Sequence, residues 1–221
     1  MPRINQKGLI QRDMTKKEGY YVFQSYWSDV PMAHIYGHSW PVRWGKAGEP
    51  KMVKVSNCAE AELFLNGASL GVKHRDSQDF PAAGLRWMAP LMAGQNHLRV
   101  VAKSSAGKTV MDEIDFAYQT QPWTKPARLV LKEKSRGDGK VTVEATLLDE
   151  HGVPCLDAKD QVRFWLAGSG KLIDNRGAPG GSRVVQLANG RAAISLETVG
   201  ECTVGVGAKG ILDAFVTVKK S

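Results

Sequence analysis

Apolar and polar residues alternate with a period of two along most of this chain, the signature of strands with one face buried. "KMVKVSN" (51–57) and "AELFLNG" (61–67) both alternate, and Asn66-Gly67 is a strong hairpin signal, with "ASLGVK" (68–73) as the returning strand. "NHLRVVAKS" and "TVMDEIDFAY" flank Ser105-Ala106-Gly107-Lys108, a second hairpin turn. Roughly six strands are predicted between residues 33 and 118. Pro122 and Pro126 then interrupt the pattern as a linker. Beyond them come "ARLVLKE", "KVTVEATLLDE", "QVRFWLAG", "SRVVQLAN", "RAAISLET", "CTVGVGA" and "DAFVTVKK". Gly137-Asp138-Gly139, His151-Gly152, Asn189-Gly190 and Lys209-Gly210 supply turns between them. Seven short strands at that spacing predict an immunoglobulin-like sandwich.

The N-terminal segment has a different period. In "DMTKKEGYYVFQSYW", Asp13 and Thr15 are N-cap residues, and Tyr20, Phe23, Tyr26 and Trp27 follow at helical spacing. The spacing predicts an amphipathic helix over about residues 15–27, ended by Pro31, with an aromatic face that needs a broad partner. The fold class is therefore all-β: two consecutive immunoglobulin-like β-sandwiches, 31–121 and 127–221, with a linker at 122–126. One helix in residues 1–30 precedes them.

Composition narrows the function. The 221 residues are 43% hydrophobic and 24% charged, as in ordinary globular proteins. No apolar run is long enough to span a membrane. "MPRINQKGLIQRDM" has no apolar signal-peptide core, so an export signal is not expected in this stretch. A net charge of +8 invites nucleic acid, but the basic residues are scattered, the longest runs being Lys16-Lys17 and Lys219-Lys220. No nucleic-acid motif accompanies them, and no such partner is expected. Cys58, Cys155 and Cys202 lack metal-ligand spacing and read as buried free thiols, with a Cys155–Cys202 bridge left open.

No catalytic constellation emerges. "GSGKL" (168–172) lacks the phosphate-loop spacing, and neither G-x-S-x-G nor H-E-x-x-H occurs. No cofactor is expected. Glu60 and Glu62 share one strand face and read as a solvated edge; Asp112, Glu113 and Asp115 read as a charged hairpin edge.

The densest chemistry lies in "HIYGHSWPVRWG" (34–45). His34 and His38 are spaced as metal ligands on a helix, but Pro31, Gly37 and Pro41 forbid a helix there. No acidic or thiol ligand lies beside them in sequence, so no metal is expected. Two readings stay open: core aromatics, or rings that stack on sugars while neighbouring His and Arg bond the hydroxyls. The candidate carbohydrate-binding residues are Tyr36, His38, Trp40, Arg43, Trp44 and Trp87, with Arg75 or Arg86 assisting. The long segment "RDSQDFPAAGLRW" (75–87) is either a functional loop or a cover over one sandwich end.

Three stretches resemble glycoside hydrolase family 2, at the junction where the catalytic barrel ends and the next sandwich begins. They are Lys7, Gly8, Leu9, Arg12 and Asp13; then Tyr20, Tyr21, Gln24, Ser25 and Trp27; then Pro31, Met32, His34 and Ile35. "AELFLNGASLG" is similar to a hairpin of the same family, and "PARLVLKEK" and "LIDNRG" to its final immunoglobulin-like domain. The resemblance is to β-galactosidase-like members. It implies that the helix is the end of a (β/α)₈ barrel and that two catalytic glutamates of a retaining enzyme, about 5 Å apart, lie upstream. No glutamate here matches either one, so no residue is assigned a catalytic role.

The leading expectation is an accessory portion of a β-galactosidase-like glycosidase, inactive alone, partnered by the catalytic barrel. The parent is expected to be periplasmic or extracellular, on the resemblance alone. Alternatives are an independent module binding galactosides or oligosaccharides, and an adhesin-like spacer. Without a barrel, the aromatic helix is expected to dock on a sandwich, fray or drive self-association.

Overall fold

A computed structural model describes residues 8–10, 14–28, 30–56, 58–75, 84–103, 107–173 and 183–219. Asp13 as a cap, Lys7 and Arg12, most of the 75–87 loop, the Ser105-Ala106 turn and the end of "LIDNRG" lie outside the described residues. The protein is mostly strand, divided into two compact units, Gln6–Thr120 and Gln121–Ser221. No described helix is long and apolar enough to cross a membrane.

In the first unit, a three-stranded sheet contains β1 (His34–Ile35), β3 (Lys51–Ser56) and β6 (Leu85–Ala89) in the order β1-β3-β6. A five-stranded sheet contains β2 (Val42–Trp44), β4 (Glu60–Leu65), β5 (Ala68–His74), β7 (Gly94–Lys103) and β8 (Thr109–Gln119). Its order is β2-β8-β7-β4-β5. Among the described residues, eight strands replace the roughly six expected, because β1 and β2 are too short to show alternation. Where alternation was visible it holds: Ala61, Leu63 and Leu65 of β4, Leu98, Val100 and Ala102 of β7, and Ile114, Phe116 and Tyr118 of β8 fill the core. Asn66 (φ 50°) and Gly67 (φ 86°) close the β4–β5 hairpin in left-handed geometry. Asn66 Oδ1 also accepts the His97 amide at 2.8 Å, tying the turn to β7.

Helix α1 spans Glu18–Trp27, starting later than expected. Its N-cap is Lys17, with no side-chain cap, rather than Thr15. It ends before Pro31, where the Ser28 amide donates to Gln24 O.

The second unit holds β9 (Pro126–Gly137), β10 (Lys140–Asp149), β11 (Gln161–Ile173), β12 (Val184–Gln186), β13 (Arg191–Ala208) and β14 (Ile211–Val218). The sheet order is β10-β9-β14-β13-β11-β12, with a further β10–β13 pairing. Among the described residues, six strands replace seven, because "RAAISLET" and "CTVGVGA" form one 18-residue strand. The first half of β13 pairs with β10 and the second with β14, so one strand serves both sides of the core. Phe164, Leu147, Val143, Leu196 and Val204 are fully buried there. The segment read as a linker is fastened to this unit: Trp123 Nε1 donates to Asp157 Oδ1 at 2.8 Å, and the Thr124 amide to Asp149 Oδ2 at 2.9 Å. Cys58, Cys155 and Cys202 are all free and buried, and burial pushes the Cys58 and Cys155 thiols up to about 11.

Asp149, at the end of β10, has no exposed surface. Its carboxylate accepts the amides of Thr124, His151 and Val153 and the Thr124 hydroxyl. Burial pushes its pKa up, but these donors outweigh that effect and hold it below the usual carboxylate value. A depressed carboxylate stabilises the fold above its unfolded pKa, near 4, and that contribution is lost as pH falls through this range. Thermal melts from pH 7 to 3 should show the second unit weakening below about pH 4. Asp149→Asn should melt earlier at pH 7 and flatten that dependence; an unchanged acid profile in the variant contradicts the assignment.

Candidate functional site

The site is built around His34, which has 4% of its surface exposed in the first unit. A buried imidazole needs partners for both nitrogens. The first comes from α1: Glu18, Tyr21 and Ser25, at helical spacing, face inward. Glu18 Oε2 lies 2.9 Å from His34 Nε2, and Tyr21 stacks on the imidazole with centroids 3.6 Å apart. His38 stacks at 4.8 Å and Tyr36 meets the ring edge-on at 5.4 Å. Glu18 and Tyr21 thus tie α1 to β1.

Asp112 of β8 lies beside the other nitrogen without hydrogen-bonding it. Its Oδ2 accepts the Ile35 amide at 2.7 Å, lies 2.9 Å from His38 Nε2, and sits 3.8 Å from His34 Nδ1. Asp112 is not part of an exposed hairpin edge, which corrects the sequence expectation; its side chain is 19% exposed. Parity separates it from Glu113 and Asp115, which are exposed: Asp112 shares its strand face with Ile114, Phe116 and Tyr118. The expectation that no acidic group accompanies the two histidines is corrected as well, since Glu18 and Asp112 both do.

Burial lowers the His34 pKa, and the hydrogen bond and charge of Glu18, with that of Asp112, oppose without overcoming it. This shift favours the neutral imidazole at pH 7. On Glu18, burial pushes up, but His34 and the backbone amides of Gly37 and Ser39 outweigh it and hold the carboxyl below its usual value. A carboxylate only accepts, so His34 carries its proton on Nε2 and leaves Nδ1 bare toward Asp112.

The chain turns sharply after β1. Gly37 adopts φ +106°, and a Cβ there would lie 2.5 Å from Arg43 Nη2. That space lets Arg43 of β2 fold back, donating to Tyr36 O at 3.1 Å and Gly37 O at 3.3 Å. Its guanidinium covers the Phe116 ring, 4.1 Å from the centroid.

The six sequence candidates therefore separate. Trp40 and Trp44 are each 59% exposed and present ring surface to solvent. Tyr36, His38 and Arg43 are engaged in the contacts just described. Trp87, 3% exposed, packs in the core with Leu85 and Ala89, and its indole donates to Gly71 O at 3.0 Å. Arg86 is exposed and Arg75 half-buried. Glu18, Tyr21 and Asp112 were missed, although helical spacing and strand parity placed all three on inward faces.

Glu18→Ala leaves a buried imidazole N–H without an acceptor. It should cost about 1–3 kcal/mol in chemical denaturation and expose α1 to limited proteolysis; wild-type stability and protection would contradict the tie.

Residues 48–111 match a family model described as a domain of unknown function, DUF4982. A putative beta-glucuronidase from Formosa agariphila is 42% identical over 202 residues, covering 91% of this chain and 24% of that protein. Beta-galactosidase BoGH2A from Bacteroides ovatus is 34% identical over 76% of this chain and 19% of its own length. The crystal structure of Parabacteroides merdae beta-glucuronidase superposes with a TM-score of 0.91 at 47% identity, over 98% of this chain and 27% of that one. Bacteroides uniformis beta-glucuronidase 3 gives 0.89 at 48%, over 97% and 28%. The chain thus spans about a quarter of the length of these relatives. It belongs to the C-terminal β-sandwich region of glycoside hydrolase family 2 enzymes.

Proposed function

We propose that this chain is the accessory β-sandwich portion of a retaining β-glycosidase, that it supplies no catalytic carboxylate, and that it buttresses a catalytic barrel. The observation that carries this is α1. One face is fixed to β1 through Glu18 and Tyr21, while the other leaves Phe23 41%, Tyr26 47% and Trp27 76% exposed. Phe23 and Trp27 pack together with centroids 4.9 Å apart, which preforms a rigid apolar patch. A large aromatic surface held in place, beside a chain that matches only a quarter of its relatives, suits docking to a barrel. In this reading residues 1–30 belong with the barrel end, and 31–121 and 127–221 with the two sandwiches.

The substrate class follows the relatives. Those at 42% and 47% identity are named beta-glucuronidases, and the one at 34% a beta-galactosidase. We therefore favour β-glucuronides over the β-galactosides suggested by sequence, with a parent acting in the periplasm or outside the cell. The purified chain should turn over neither p-nitrophenyl β-glucuronide nor the β-galactoside; turnover above a buffer blank by the isolated chain overturns the reading.

A second reading rests on Trp40 and Trp44, whose exposure suits stacking against a pyranose ring. Tryptophan-fluorescence titration with galactose, glucuronic acid and their oligosaccharides tests it. A saturable change lost in Trp40→Ala or Trp44→Ala supports autonomous sugar binding, and a flat response removes it.

A further inference from the structure

The stacked rings of Tyr21, His34 and His38 lie beside the carboxylate of Asp112, and the group brings three atoms able to ligate a metal close together. His34 Nε2 is committed to Glu18 Oε2 at 2.9 Å, so its Nδ1 presents a bare lone pair. Asp112 Oδ2, also an electron donor, lies 3.8 Å from that nitrogen, beyond hydrogen-bond distance. A cation placed near both atoms is attracted by the carboxylate charge and by the imidazole lone pair. A third donor atom is at hand: His38 Nε2, 2.9 Å from the same Asp112 oxygen. One ligand atom from each of the three side chains lies within 4.8 Å of the others.

We propose that His34 Nδ1, His38 Nε2 and Asp112 Oδ2 form a binding site for a divalent transition-metal ion of the zinc type. Two imidazoles and one carboxylate form a set that suits zinc, whereas calcium takes six to eight oxygens. A tetrahedral zinc with bonds near 2.0–2.1 Å holds its ligand atoms about 3.3 Å apart. The two separations to Asp112 Oδ2, 2.9 and 3.8 Å, lie on either side of that value. Because the imidazole planes are within 15° of parallel, His38, whose ring is 39% exposed, rotates out of the stack to bring its nitrogen to the ion. His38 gives up its bond to Asp112 and carries its proton on Nδ1 instead of Nε2, a shift that water can mediate. The fourth position is left to water.

Glu18 completes the arrangement as a positioning residue. A carboxylate on the far nitrogen of a metal-bound imidazole fixes its tautomer and raises its basicity. Asp112 and Glu18 together also balance the two positive charges of the ion. Neither the aromatic face of α1 nor Trp40 and Trp44 take part, so this site stands independently of the function proposed above.

The test uses the chelator-treated, tag-free 221-residue chain, titrated with Zn²⁺ by calorimetry and with Co²⁺ by visible absorption. Saturable one-to-one Zn²⁺ binding, the intense visible bands of tetrahedral Co²⁺ and a rise in Tm are expected. His38→Ala and Asp112→Asn should abolish the Co²⁺ bands, and Glu18→Gln should weaken Zn²⁺ about 10- to 100-fold. A cooperative metal-free melt of His38→Ala should show that the variant is folded, so that loss of its Co²⁺ bands reports on ligation. Absence of saturable binding to the wild-type chain, or Co²⁺ bands that survive His38→Ala, overturns the proposal.

Discussion

An imidazole buried between a helix and two strands has to be satisfied from outside its own segment. His34 meets that requirement with Glu18 on one nitrogen, and Asp112 takes up the amide of Ile35 next door. These contacts bring together three segments far apart in sequence, since α1 carries Glu18, β1 carries His34 and β8 carries Asp112. The interior around a half-buried carboxylate and a neutral histidine has a low dielectric, so losing one member leaves the others uncompensated. The Tyr21 ring adds packing that fixes the imidazole plane. The orientation of α1, and with it the direction of its aromatic face, depends on this small polar cluster rather than on helix propensity. A ten-residue helix with no side-chain cap has little stability of its own.

The same cluster separates two roles within one short segment. His34, Tyr36 and Arg43 are spent on structure, and Gly37 makes the turn that lets Arg43 reach back over Phe116. Trp40 and Trp44, on either side of Pro41, are each 59% exposed. A surface meant to meet a partner or a sugar benefits from a rigid base, since less conformational freedom is lost on binding.

Much of the architecture was legible because strands announce their buried faces by parity. β4, β7, β8 and β10 follow their alternation, and the Asn66-Gly67 hairpin closes where its residues require. β1 and β2 were not legible, because two or three residues carry no period. Val199 to Glu201 lay between two predicted strands, yet they continue β13, whose two halves are held by different neighbours. Trp87 and Asp112 show the limit of reading composition ahead of phase. Trp87 sits in phase with Leu85 and Ala89, and Asp112 with Ile114 and Phe116, so parity alone turned one away from solvent and the other toward the core. Glu18 depends on a tertiary contact across 16 residues, for which a local pattern supplies a face but no partner.

The protonation of His34 is the point on which this account turns, and long-range proton–nitrogen correlation NMR reads it directly. The chain labelled with ¹⁵N, at pH 7 and free of metal, should show His34 as a neutral imidazole with a protonated Nε2 and a bare Nδ1. A proton on Nδ1, or an imidazolium with both nitrogens protonated, would contradict the carboxylate-fixed geometry and everything built upon it.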